Sequence, residues 1–144
     1  MVRGFKETDL DKVMQIWLES NIKEHSFVSK DYWEIVSGFV RRAIGASEVY
    51  VFEKDGVVCG FIGLQDSYIV GLFVEETARS NGIGKKLLDY VKGIKKELTL
   101  NVYQKNERAV AFYKREQFVV EAESVDGNTN EAEFVMNWKN AGTL

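Results

Sequence analysis

The chain has no proline, one cysteine and one histidine among its 144 residues. The lone Cys59 can close no internal disulfide, which fits a reducing compartment such as the cytoplasm. One histidine and one cysteine cannot assemble a usual zinc site, so no metal is expected. No apolar run approaches the ~18 residues of a membrane-spanning helix. The opening "MVRGFKETDLDKV" lacks the apolar stretch of a signal peptide, so neither a membrane association nor secretion is expected. An excess of basic residues is missing too. The net charge is −3 and the pI about 5.3, which speaks against a general nucleic-acid binder and suits a cationic substrate. The absence of proline has no functional reading.

What is present is ordinary for one globular domain over residues 1–144, with 45% apolar and 28% charged residues. "VRGF" reads as a short strand. Thr8 is placed to cap a helix carrying Leu10, Val13, Met14 and Trp17 at helical spacing and ending near Asn21. "NIKEHSFVS" reads as a loop. Ser29 caps a second helix with Trp33, Val36, Phe39, Val40 and Ala43 on one face. "EVYVFEK" and "VVCGFIGL", joined by Asp-Gly, spell a hairpin with a type I′ turn. Cys59 in its second strand reads as a small buried hydrophobe. "SYIVGLFV" is a further strand, in which Gly71 marks a bulge or a close backbone approach.

Ile83, Leu87, Leu88, Val91 and Ile94 then give the apolar face of a third helix. "ELTLNV" is a strand, Asn106 caps a fourth helix ending near Glu116, and "FVVEAESV" with "EAEFVMNW" forms a closing hairpin. The order βααβββαβαββ predicts an α+β fold. Its mixed, mostly antiparallel central sheet has six to seven strands, with about four helices on both faces.

The third helix begins at "RSNGIGKKLL", residues 79–88. N–H groups at a helix start have no intrahelical partner and sit at the positive end of the helix dipole. Such a start suits a phosphate, and glycines let backbone approach it. The dinucleotide motif fails for want of a third glycine, since Leu87 follows Gly82 and Gly84. The Walker pattern fails because residue 79 is Arg and Lys86 follows Lys85. Two glycines that merely break a loop before a helix are the plain alternative.

The surrounding "LFVEETARSNGIGKKLL" and "LTLNVYQKNERAVAFYKREQF" resemble the Gcn5-related N-acetyltransferase (GNAT) family. Arg79, Gly82 and Gly84 match its [Q/R]-x-x-G-x-[G/A] motif, and Leu72 and Val74 match the strand end before it. Asn106, Ala109, Phe112 and Tyr113 match its N-x-x-A-x-x-F-Y. The resemblance is specific from about Ile69 to Phe118. "WLES", His25 to Phe27 and "YW" at Tyr32 are similar to a small bacterial branch of enzymes proposed to acetylate protein lysines. Two departures stand out. Glu76 occupies a frequent proline position. Gln117 occupies a usual glycine position, where a left-handed cap costs ~1 kcal/mol or more for any other residue, so the fourth helix is expected to end differently.

The resemblance implies acetyl-CoA as acyl donor and a primary amine, on a protein or a small molecule, as acceptor. It implies that amides across Arg79, Ser80, Asn81, Gly82, Ile83, Gly84 and Lys85 hold the diphosphate. The backbone of Leu72, Phe73 and Val74 would pair with the pantetheine arm, by analogy with strand addition. Tyr113 would be the general acid for the leaving thiolate. Asn106 would cap its helix, contact the coenzyme, or both; Lys114 and Arg115 read first as a solvated charged pair, with the coenzyme's terminal phosphate as their other reading. Some members carry a glutamate base near the start of the fourth strand, where Tyr68 stands here. Glu19, His25 and Asp66 are therefore the candidates for the base, and Phe27 and Tyr68 for the acceptor side. A non-catalytic acyl-CoA-binding module is the alternative, and a retained Tyr113 argues against it. Monomer and homodimer remain equally open.

Overall fold

The computed structural model describes residues 1–140, apart from the side chain of Ser80. The expected order is found. The elements are β1 (Val2–Gly4), α1 (Leu10–Glu24), α2 (Lys30–Gly45), β2 (Glu48–Lys54), β3 (Val57–Gln65), β4 (Tyr68–Val74), α3 (Ile83–Lys92), β5 (Glu97–Tyr103), α4 (Glu107–Arg115), β6 (Val119–Val125) and β7 (Ala132–Lys139). The described strands form one seven-stranded sheet in the order β1-β2-β3-β4-β5-β7-β6. Its pairs are antiparallel except β4 with β5.

Alternation along the strands divides the core between the two faces. Leu98, Leu100 and Val102 join Leu87, Leu88, Val91, Val110 and Tyr113 on the α3/α4 side. Val49, Val51, Phe61 and Tyr103 join Val13, Ile16, Trp17 and Trp33 on the α1/α2 side. Asp55 and Gly56 both take positive φ, 53° and 79°, as a type I′ turn requires. Cys59 is a free, buried cysteine, as expected of it.

Several helix boundaries differ from the sequence reading. Thr8 does not cap α1. A short 3-10 turn over Glu7–Asp9 precedes the helix, and Asp9 instead accepts the Lys6 N–H at 2.8 Å and two hydrogen bonds from Arg3 at 2.8 and 3.0 Å. The α1 helix continues past Asn21 to Glu24, which shortens the following loop. Ser29 does cap α2, accepting from the Asp31 N–H at 3.2 Å. Phe39 and Ile94 are largely exposed and belong to no core face; Ile94 lies beyond the end of α3 at Gly93. Gln117 adopts the left-handed conformation at φ 74°, so α4 ends as a glycine would end it and carries the strain.

Candidate active site

The site begins at a fault in the sheet. Gly63 pairs with Gly71, but Leu64 pairs with Ile69, so Val70 is an extra residue in β4. A bulge of this kind bends a strand and sharpens its twist. Gly71 also lies under the Phe73 ring, where a Cβ would sit 2.7 Å from a ring atom, so it stands beside the expected bulge and what comes close to it is a side-chain ring. The parallel strands β4 and β5 share the ladder pair Tyr68 with Thr99, and the Thr99 N–H donates to Ser67 at 2.9 Å. Beyond that pair they carry no ladder toward their C-terminal ends. A cleft of about 630 Å³ opens there, bordered by the end of α1, the start of α3 and one side of α4.

At one end of the cleft is the start of α3. Gly82 holds φ 70° with no side-chain cap and no acidic residue in the first turn. The Lys86 N–H makes the first helical bond, to Gly82 at 3.0 Å. The N–H groups ahead of it therefore lack a side-chain partner, as an anion site requires. A Cβ at Gly82 would meet nothing within 4 Å, so the space over the turn is open to a ligand. Gly84 and Lys85 line the same region. Lys85 is held by Glu116 at 3.1 Å and Asp89 at 3.2 Å. The Ile83 side chain is buried in the core, leaving only its backbone for a ligand, and Asn81 is exposed. Of Ser80, only the backbone is described. Arg115 lines the cleft and Lys114 does not.

Arg79 has a structural tie that the motif did not reveal. Its guanidinium pairs with Glu24 at 2.7 Å and its Nε–H donates to the Val74 carbonyl at 3.4 Å. Arg108 of α4 reaches the same carboxylate at 3.1 Å. Glu24 thus ties the end of α1 to the turn before α3 and to α4.

Leu72, Phe73 and Val74 line the cleft from β4, and Tyr113 from α4. The Tyr113 ring packs on Phe112 and Phe118, at 5.2 and 5.4 Å between centroids. Its hydroxyl has no hydrogen-bond partner among the described residues. Burial pushes the phenol above its ordinary pKa, with a smaller push from the charge of Glu24. Tyr113 is therefore a packed ring and a protonated donor at once.

His25 has both nitrogens occupied. The Asn21 Nδ2–H donates to Trp17 O at 2.8 Å, which turns Asn21 Oδ1 toward His25 Nδ1 at 2.9 Å. The Asn106 Nδ2 stands 3.0 Å from His25 Nε2, while Asn106 Oδ1 accepts the Ala109 N–H at 3.2 Å. This network assigns the neutral ring with its proton on Nδ1. Burial lowers the His25 pKa to about 4. With its free lone pair occupied, His25 is a bridge from α1 to the cap of α4 and is poorly suited to be a base.

The remaining acceptor-side candidates separate. Tyr68 lines the cleft; Glu19, Phe27 and Asp66 do not. Glu19 accepts from Gln15 at 3.2 Å in an exposed position. Phe27 packs on His25 and Tyr103. Asp66 sits in the β3–β4 turn at φ 54°. Sequence reasoning missed Asn21, Glu24, Asn101, Arg108 and Glu133, all of which line the cleft. The i, i+4 spacing of Asn21 and His25 was a usable signal. Alternation could have set Asn101 and Glu133 on one face; no local pattern joins Glu24 to Arg79.

Residues 45–120 match the acetyltransferase (GNAT) domain family, and the chain is 32% identical to the peptidyl-lysine N-acetyltransferase YiaC of Escherichia coli strain K12 over 100% of both chains. The chain belongs to the GNAT acetyltransferase family. It is an N-acetyltransferase. Its fold superposes on the solution structure of apo YjaB from Escherichia coli with a TM-score of 0.86, at 26% identity and 98% coverage of each chain. It also resembles the fold of yncA from Salmonella typhimurium, whose structure contains its cofactor acetyl-CoA. That likeness has a TM-score of 0.68 at 17% identity, over 96% of this chain and 92% of the other.

Proposed function

We propose that the cleft between β4 and β5 takes acetyl-CoA, and that the acetyl group passes directly to a primary amine, with a lysine side chain of a protein as the leading acceptor. The observation that carries this reading is the joining of three parts in one cleft: the uncapped α3 start at Gly82, the edge of β4 left without a β5 ladder, and Tyr113. Diphosphate charge suits the free amides of residues 83–85, and the pantetheine amides suit the backbone of Leu72, Phe73 and Val74. Asn106, fixed by His25 and engaged in capping α4, keeps that helix and Tyr113 in place. Tyr113 donates a hydrogen bond to the sulfur as charge develops on it. A thiol has a reference pKa of ~8.5, and burial of Tyr113 makes full proton transfer to the thiolate uphill. Its main contribution is therefore the hydrogen bond, with the proton following as the thiol leaves. The lysine acceptor is supported by the name of the full-length relative YiaC and by the acidic balance of the chain.

Thermal unfolding with added ligand tests the coenzyme assignment. Acetyl-CoA should raise the melting temperature, because it binds only the folded state, and NADH should not. Gly82→Asp should remove the acetyl-CoA shift by placing a side chain and a negative charge over the amides. Equal shifts with NADH, or an undiminished shift in a folded Gly82→Asp protein, would refute the assignment.

A further inference from the structure

The transferase needs a base, and neither Tyr68 nor His25 supplies one. Among the described residues, three carboxylates line the cleft: Glu24, Glu116 and Glu133. Glu24 is held by Arg79 and Arg108, and Glu116 by Lys85 and Lys92. Glu133 has no cationic partner among the described residues. It accepts from the Asn101 Nδ2–H at 3.2 Å, and Asn101 Oδ1 accepts from the Tyr68 hydroxyl at 3.1 Å. Strand register sets this group on the α1/α2 face, where Glu133 lies opposite Tyr103. Tyr103 is part of an aromatic wall with Phe27 and His25, and His25 stacks on Trp33 at 5.7 Å. The Trp33 Nε1–H is buried without a partner among the described residues, although Trp33 lines the cleft. The cleft thus offers a half-buried carboxylate without a counter-ion, beside aromatic rings and an unused donor.

Resting on the acetyl-transfer reading, we infer that Glu133 binds the acceptor as an alkylammonium ion and takes its proton, with Asn101 and Tyr68 holding the carboxylate in place. An alkylammonium has a pKa of ~10.4, so freeing it at pH 7 costs ~4–5 kcal/mol. One N–H bond of the ammonium breaks and its proton passes to the Glu133 carboxylate. The freed nitrogen pair forms a bond to the thioester carbon. The C–S bond then breaks, the sulfur keeps its electron pair and receives the Tyr113 proton, and the nitrogen loses a second proton to solvent water. Solvent reprotonates Tyr113 and deprotonates Glu133, so each turnover releases one amide, one thiol and one proton. Burial raises the Glu133 pKa; the Asn101 hydrogen bond opposes that, and the charge of Asp126 adds to it. The other ionisable groups toward it are Tyr68 from β4 and Tyr103 from β5. Lys105 is held by Glu131 and Gln104 by Glu123.

Glu133→Gln keeps the shape and the Asn101 contact. With Nα-acetyl-lysine amide as acceptor, kcat/KM at pH 7 should fall ~10²–10⁴-fold, and acetyl-CoA affinity measured by calorimetry should not change. The variant's rate should recover about tenfold per pH unit up to pH 9, as the free amine fraction grows. Calorimetric binding of n-butylammonium to the CoA-loaded protein should be lost in the variant. A rate within threefold of wild type, or weakened acetyl-CoA binding, overturns the role of Glu133 and leaves the transferase reading standing. A wild-type protein that binds acetyl-CoA yet releases no thiol with any alkyl amine overturns both.

Discussion

Acidification should unfold this protein partly through His25. The ring is 8% exposed and satisfied on both nitrogens as a neutral group. Protonation would place a donor against the Asn106 amide and a charge among Trp33, Tyr103 and Phe27. Burial lowers its pKa from 6.5 to about 4. Between those values the unfolded chain binds the proton and the folded one does not, so stability falls as pH falls through that window. The whole shift corresponds to about 3 kcal/mol, and the portion between pH 7 and pH 5 to about 2 kcal/mol. Urea unfolding at pH 5, 6, 7 and 8 on wild type and His25→Gln measures it. The variant has a different absolute stability, but its loss on going from pH 7 to pH 5 should be smaller by about 2 kcal/mol. Parallel stability profiles, within the ~10–15% extrapolation error of such experiments, would refute the buried neutral ring and reopen His25 as an exposed base.

Tyr113→Phe keeps the packed ring and removes the donor, so turnover should fall ~10²–10⁴-fold while acetyl-CoA affinity changes by only ~1 kcal/mol. Because burial raises the phenol pKa, Tyr113 should give no descending limb in the rate profile between pH 7 and pH 9; a limb there that disappears in the Phe variant would contradict the assigned protonation state. Gln117→Gly should raise stability by ~0.5–1 kcal/mol by relieving the left-handed φ of 74°, read as an increase in the urea midpoint at unchanged slope.

Features carried by neighbours along the chain were legible in the sequence. The strand and helix order, the Asp55-Gly56 turn, the Ser29 and Asn106 caps and the glycine turn before α3 depend on periodicity, φ preference and short-range hydrogen bonds. The motif from Arg79 to Tyr113 likewise carried the family resemblance that the family match bears out. Boundary errors arose where a side chain found a distant partner: Asp9 turns to Arg3 at the start of α1, which leaves Thr8 without a capping role. The arrangement of the other polar groups lining the cleft was decided by tertiary structure alone. His25 and Asn106 are 81 residues apart, Asn101 and Glu133 are 32 apart, and Glu24 meets Arg79 and Arg108 only after α1 crosses the sheet. Burial and hydrogen bonding set the protonation of such groups, and both come from chain segments that no local pattern links. The sequence by itself therefore determined a helix start suited to phosphate and a tyrosine beside it. Only the packed sheet, with β4 bulged against β3 and sharing one ladder pair with β5, turned the single histidine into a neutral bridge and left Glu133, among the described residues, as the cleft carboxylate without a cation.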